Sequence, residues 1–190
     1  MTGMTGPFTQ LPPGLPAPED DGAADHLVGL RMPVLGLPTT SGRVVDLHEL
    51  GPGRTVIYLY PMSGRPGTQL PDGWDSIPGA RGCTPESCAF RDHHDDLLAA
   101  GATAVFGLSS QDTDYQRELA ERVHLPFELL SDPERRLAGA LRLPLFDVAG
   151  MTLYKRLTLV IRAGVIEHVF YPVFPPDGHA EQVLGWLRAK

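Results

Sequence analysis

The sequence predicts an α/β fold, a central β-sheet with helices on both faces and a β-hairpin at its N-terminal end. Three observations carry this. Thr55-Val56-Ile57-Tyr58-Leu59-Tyr60 is an unbroken β-branched and aromatic run, the pattern of a strand buried on both faces. Strand and helix patterns alternate downstream of it. The chain then closes with a strand pair and an amphipathic helix. With 190 residues, 42% of them hydrophobic, the chain is long enough for one domain with a substantial core.

Residues 1–25 are rich in Pro and Gly and carry the acidic cluster Glu19-Asp20-Asp21, which reads as a flexible tail preceding a domain over 26–190. Pro33–Leu37 and Arg43–Leu47 flank the turn Thr39-Thr40-Ser41-Gly42 and form the hairpin. Pro61 stops the buried strand. Residues 61–82 hold four prolines and five glycines, a loop of functional length. Thr84-Pro85 then reads as an N-cap and first helical residue. The helix that follows, about 85–100, places Phe90, Leu97 and Leu98 on one face. Thr103–Leu108 is a second buried strand. A helix over about 112–123 and a strand at Phe127–Leu130 come next, and Ser131-Asp132-Pro133-Glu134 starts another helix. Leu157–Ile161 and Val165–Phe170 pair about the turn Arg162-Ala163-Gly164. Asp177 caps a last helix whose Ala180, Val183, Leu184 and Leu187 form an apolar stripe.

Charge and hydropathy exclude several classes. The net charge is −7 with no basic cluster, which argues against nucleic acid and anionic membranes as partners. No apolar run approaches membrane-spanning length. The N-terminal residues lack a basic region followed by an apolar stretch, so no signal peptide is read and a cytoplasmic location is expected.

The chemistry concentrates at Cys83 and Cys88, the only two cysteines. Such a pair in a reducing compartment points to catalysis or metal binding before structural cross-linking. Cys83 falls at or just before a helix start, where unpaired amides and the helix dipole favour a thiolate. An ordinary thiol of pKa near 8.5 is only about 3% ionised at pH 7, so the sequence predicts a lowered Cys83 pKa. The bland alternatives are small buried hydrophobes at both cysteines. His93 and His94 suggest a metal. However, adjacent helical residues point about 100° apart, so no metal site is assigned.

The motif Gly82-Cys83-Thr84, with Glu86, Cys88 and Phe90-Arg91-Asp92, resembles the peroxiredoxins, and the peroxiredoxin Q (bacterioferritin comigratory protein) subfamily in particular. Tyr60-Pro61, Leu47-His48-Glu49-Leu50 and the strand Arg156-Leu157-Thr158-Leu159-Val160-Ile161 extend the resemblance over roughly residues 32–190. It implies a thioredoxin-like fold with a mixed sheet. It also implies a thiol peroxidase, with Cys83 as nucleophile, Cys88 as resolving thiol and Arg156 beside the sulfur. Pro61, Ser63, Thr84 and Glu86 become the expected substrate-binding set. Hydroperoxide is the implied substrate and thioredoxin or a similar dithiol the implied reductant, with no cofactor. A monomer or weak homodimer is expected. Arg156 in a surface ion pair and Glu86 as an ordinary first-turn carboxylate are the alternatives.

The chain departs from the family where it matters. The family's Pro and Thr, seven and three residues before the reactive Cys, are Ser76 and Ala80 here, and Arg81 replaces a Pro. Pro61 lies 22 residues upstream of Cys83, so about 15 residues are inserted, by the family's usual seven-residue spacing. Ser63 and Thr68 are the hydroxyls that a looped-out insertion could bring to the sulfur, and Trp74 either packs the loop or covers the pocket. Two rival functions use the same cysteines. One is a thiol–disulfide oxidoreductase, against which the absence of a Cys-x-x-Cys motif counts. The other is a redox-sensing interaction protein.

Overall fold

The computed structural model describes residues 8–190. Its strands are β1 Gly36–Pro38, β2 Val44–Asp46, β3 Arg54–Leu59, β4 Ala102–Ser109, β5 Leu129–Ser131, β6 Leu145–Val148, β7 Met151–Tyr154, β8 Leu157–Arg162 and β9 Val165–Phe170. Its α-helices are α1 Cys83–Asp92, α2 His94–Ala99, α3 Thr113–Arg122, α4 Arg136–Leu141 and α5 His179–Arg188. Five strands form the central sheet in the order β5-β4-β3-β8-β9. β3 and β5 run parallel to β4, whereas β8 runs antiparallel to β3 and β9 antiparallel to β8. The sheet is therefore mixed, with the unbroken apolar run at its centre.

Alternation along β3 divides the core. Val56, Tyr58 and Tyr60 face the layer that holds α1, α3 and α5, through Phe90, Leu119 and Val183. Ile57 and Leu59 face the other layer, which holds the β1–β2 hairpin and α4 through Leu37, Leu137 and Leu141. Tyr58 stacks on Phe90 with ring centroids 4.2 Å apart, and its hydroxyl lies 2.9 Å from Ser87 Oγ. These contacts press α1 onto the sheet. The apolar stripe of α5 is buried as its spacing predicts.

Several local details differ from the sequence reading. α1 starts one residue earlier, at Cys83, with Gly82 as its N-cap at φ 111°. Thr84 is therefore inside the first turn and caps nothing. Pro85 is tolerated at the third position because amides of the first turn have no intrahelical acceptor. The long helix over 85–100 is two helices, broken at His93 (φ −98°, ψ 6°). The break turns Leu98 outward, where it is 39% exposed, while Leu97 stays buried. Ahead of α4, the Asp132 carboxylate accepts from the amides of Arg136 and Leu137, and the helix begins later than the turn signal suggests. Asp177 lies in a single 3-10 turn, Pro176–Gly178, that leads into α5.

The β6–β7 hairpin has no counterpart in the sequence reading. Its two turn residues, Ala149 and Gly150, have φ of 50° and 76°, the signs that a tight hairpin turn requires. The hairpin braces the long loop before Cys83. Trp74 is 3% exposed and packs with Ala80, Leu153 and Phe146 in a small core of their own. The tail predicted for residues 1–25 lies outside the described residues up to 7. Residues 8–25 contain no helix or strand.

Gly82 joins this loop to α1. A Cβ built there would sit 2.4 Å from Pro176 Cγ, and the positive φ is strained for any other residue. Gly82→Ala is therefore expected to cost about 1–3 kcal/mol. Urea unfolding checks this, with Gly185→Ala in α5, where a Cβ meets nothing within 4 Å, as the control.

Candidate active site

The site forms where the first turn of α1 meets the residue preceding β8. Cys83 opens the helix at 3% exposure. Arg156 arrives from the sheet and is 4% exposed. Its Nη2 donates to Cys83 Sγ at 3.2 Å and to the Ala80 carbonyl at 3.0 Å. Its Nε donates to the Gly79 carbonyl at 3.3 Å, and its Nη1 is in contact with the Glu86 carboxylate. The guanidinium fork thus spends its donors on one sulfur, one carboxylate and the last carbonyls of the inserted loop. A planar five-donor group can do this and an ammonium cannot. The Cys83 thiol itself points toward the Ala80 carbonyl at 3.7 Å, and the Met62 backbone amide is a further donor to the sulfur.

Burial dominates the electrostatics. It raises the Cys83 thiol above its ordinary value, although Arg156 pulls the other way, and the Glu86 carboxylate adds to the rise. This corrects the lowered value that the helix start predicts. In a closed, dry pocket the thiolate loses more hydration than the guanidinium and the amides return. Burial likewise pushes Glu86 up to about 7, against the pull of Arg156. Burial opposes the charge on Arg156, yet Cys83 and Glu86 hold its pKa above the ordinary value. Cys88, partly buried on the same helix, is raised by burial and drawn down by Arg91.

The remaining predicted residues divide into two groups. Thr84 joins the site: it is 2% exposed, shares the Cys83 pocket with Met62 and Trp74, and its hydroxyl has no hydrogen-bond partner. Glu86 joins it through Arg156 and leaves its Oε1 without a partner. Ser63 is directed elsewhere. Its amide and hydroxyl donate to Gln111 Oε1 at 2.9 and 3.2 Å, and its carbonyl accepts from Gln111 Nε2. Thr68 is exposed, in an open groove with Gln111 and Tyr115. Pro61 is buried just past β3, next to Met62. Trp74 both packs the loop and lines the pocket. His94 packs against the Phe127 ring, and no group of three metal-ligating side chains converges among the described residues.

Sequence reasoning missed the backbone half of the site. The Gly79 and Ala80 carbonyls and the Met62 amide have no side-chain signature. It also missed Phe8, which lines the Cys83 pocket from the N-terminal segment.

Comparison with known proteins places the fold and the family. The Redoxin family model matches residues 27–184. A putative peroxiredoxin bcp of Coxiella burnetii is 30% identical over 164 residues, covering 84% of this chain and 97% of that protein. A chloroplastic peroxiredoxin Q of Oryza sativa subsp. japonica is 31% identical over 162 residues, covering 85% of this chain. The chain spans 66% of that plant protein's length. Among solved structures, the peroxidoxin BcpB of Mycobacterium tuberculosis superposes with a TM-score of 0.68 at 27% identity, covering 86% of this chain and 98% of its own. The chain belongs to the Redoxin family and, within it, to the peroxiredoxin Q/Bcp-like proteins. Its fold is the thioredoxin-like fold of that family, with the β1–β2 hairpin at its N-terminal side.

The position of Glu86 sets a pH dependence. A carboxyl raised from 4.5 to about 7 on folding binds more protons in the folded chain between those values. Stability should therefore fall as pH rises from about 4.5 to about 7, with the loss complete above that window. Glu86→Gln keeps an acceptor for Arg156 and removes the titration. It should flatten the slope of urea stability between pH 5 and 8 and lower the pH at which Cys83 is alkylated. An unchanged slope would place the coupling elsewhere.

Proposed function

We propose that the chain is a thiol peroxidase that reduces hydrogen peroxide and organic hydroperoxides with two cysteines of one subunit. The observation that carries this reading is the Arg156 guanidinium 3.2 Å from the Cys83 sulfur, fixed there by Glu86 and two carbonyls. It supplies a permanent positive charge where a thiolate must form and where an oxyanion must leave. The Cys83 thiolate attacks the terminal oxygen of the hydroperoxide. The O–O bond breaks, the sulfur becomes a sulfenic acid, and the alkoxide or hydroxide takes a proton and leaves as alcohol or water.

Thr84 and the Met62 amide are the donors available to the peroxide. The unpartnered Thr84 hydroxyl fills the role that Ala80 cannot, because a buried hydroxyl without a partner is costly until a ligand supplies one. Cys88 then attacks the sulfenic sulfur, forming the disulfide and releasing water. Thioredoxin or a similar dithiol protein reduces that disulfide by exchange.

Both cysteines lie on α1, five residues apart. An ideal helix gives that spacing about 7.5 Å of rise and about 140° of rotation, so the Cα atoms are roughly 8–9 Å apart. A disulfide bridges at most about 7 Å. The disulfide and the intact first turns of α1 are therefore incompatible, and resolution requires α1 to unwind locally.

Two experiments test the reading. Cys83→Ser should abolish hydroperoxide consumption. Arg156→Ala and Arg156→Lys should each lose at least about tenfold in kcat/KM, or ~1.4 kcal/mol of transition-state stabilisation. Wild-type kinetics in either Arg156 variant would return that residue to a structural role. For resolution, amide hydrogen exchange should show protection over residues 83–92 lost on oxidation of the wild type. No such loss should follow in Cys88→Ser treated with one equivalent of peroxide. Equal protection in both redox states would remove Cys88 from the mechanism.

A further inference from the structure

The N-terminal segment lies outside the stretch that the family model matches, which begins at residue 27. It nevertheless reaches the mouth of the Cys83 pocket. Its side chains settle on glycines of the inserted loop and of the α1 cap. A Cβ on Gly64 would come within 2.7 Å of the Phe8 ring, and one on Gly82 within 2.8 Å of Leu11 Cδ2. A Cβ on Gly79 would touch Pro18 at 3.5 Å. Contacts at 2.7–2.8 Å are closer than any Cβ tolerates, so at Gly64 and Gly82 the segment occupies the space where a side chain would stand. The Arg81 guanidinium lies 5.8 Å from the Phe8 ring centroid, within range of cation–π attraction. At the far end, Asp21 accepts from Lys155 Nζ at 3.0 Å and from the Tyr171 hydroxyl at 2.8 Å. Lys155 directly precedes Arg156.

Phe8 lines the Cys83 pocket together with Met62, Trp74 and Thr84, and the space left inside holds about one water molecule. We propose that residues 8–21 are a strap whose Phe8 ring narrows this pocket and makes it selective by size. It admits hydrogen peroxide more readily than bulky organic hydroperoxides. Phe8 is thus a specificity-determining residue, supplied from outside the family domain. This rests on Cys83 being the peroxide-reacting thiol.

The position of the strap gives it a second consequence. Leu11 sits on Gly82, the cap of α1, so the turn that must unwind for Cys88 to reach Cys83 lies under the strap. Large substrates and disulfide formation would both require it to lift.

Two measurements test the strap, and the first does not depend on peroxidase turnover. In a Cys88→Ser background, Cys83 is alkylated with iodoacetamide, a small reagent, and with N-(1-pyrenyl)maleimide, a large one. Phe8→Ala should raise the large-to-small rate ratio by about tenfold, the scale on which pocket walls discriminate size, and Phe8→Trp should lower it. A ratio that does not rise in Phe8→Ala overturns the strap, whatever the enzyme's activity. In the second, the kcat/KM ratio for cumene hydroperoxide over hydrogen peroxide is compared between wild type and Phe8→Ala with Cys88 intact. The ratio should rise in the variant, and an unchanged ratio overturns the role of Phe8 in specificity. Wild-type protein that consumes neither peroxide, with the alkylation ratio still responding to Phe8, would refute the peroxidase function and the specificity role together and leave a steric strap over a reactive thiol.

Discussion

A single buried cation organises this molecule. Arg156 is almost fully enclosed, and a charge taken so far out of water is tolerated only when it is paired and hydrogen-bonded. Its partners come from two places in the chain: the inserted loop through the Gly79 and Ala80 carbonyls, and the first turn of α1 through Cys83 and Glu86. The guanidinium thus ties the edge of β8 to a helix and to a loop that would otherwise have little reason to stop where it does. The apolar layers place α1 against the sheet, and the charge fixes the position of its N-terminus. The same interaction sets the chemistry, since the ion that holds the loop is the one that faces the sulfur.

The triad of Cys83, Arg156 and Glu86 carries two acidic groups around one cation. Both cannot ionise freely in a dry site. Burial raises each of them, and the Glu86 carboxylate raises Cys83 further by repulsion. Glu86 near 7 is therefore a carboxyl whose proton is finely balanced, and Cys83 titrates in its field. The closed structure protects the thiol more than it activates it. Opening the pocket to water removes the largest opposing influence, burial, while Arg156 stays in place because its anchors are backbone carbonyls. Access and activation are in this way the same event.

Much of this was legible in the sequence, for identifiable reasons. The central strand announced itself because burial on both faces leaves no charged or amide side chain in Thr55–Tyr60, only β-branched, aliphatic and aromatic ones, and the stripe of α5 because helical spacing is periodic. Cys83, Cys88, Glu86 and Arg156 were legible as residue types in a recognisable order. What could not be read were contacts made by backbone. Met62, Gly79 and Ala80 contribute amides or carbonyls, which any residue possesses, and their roles depend on a loop path that composition does not encode. The β6–β7 hairpin was missed because its turn uses Ala149 where Asn or Asp usually signals a positive φ. The split between α1 and α2 was missed because His93 leaves the helical region without Gly or Pro to mark it.

The inserted loop and the N-terminal segment are best understood together. An insertion before a reactive cysteine lengthens the path between β3 and α1, and loop-closure entropy alone makes that length cheap. What is costly is a long loop with nothing to pack against. Here Trp74 and Ala80 meet Leu153 and Phe146 of the hairpin on one side, while Phe8, Leu11 and Pro18 meet Gly64, Gly82 and Gly79 on the other. The glycines of the loop therefore have a packing role in addition to a conformational one, since they accept side chains that arrive from another part of the chain. Phe8 takes its place against Gly64 and Arg81 of that loop. A chain with the insertion but without the segment would leave Met62 and the Cys83 pocket open to water. The two departures from the family pattern complement each other in space, and both converge on the sulfur.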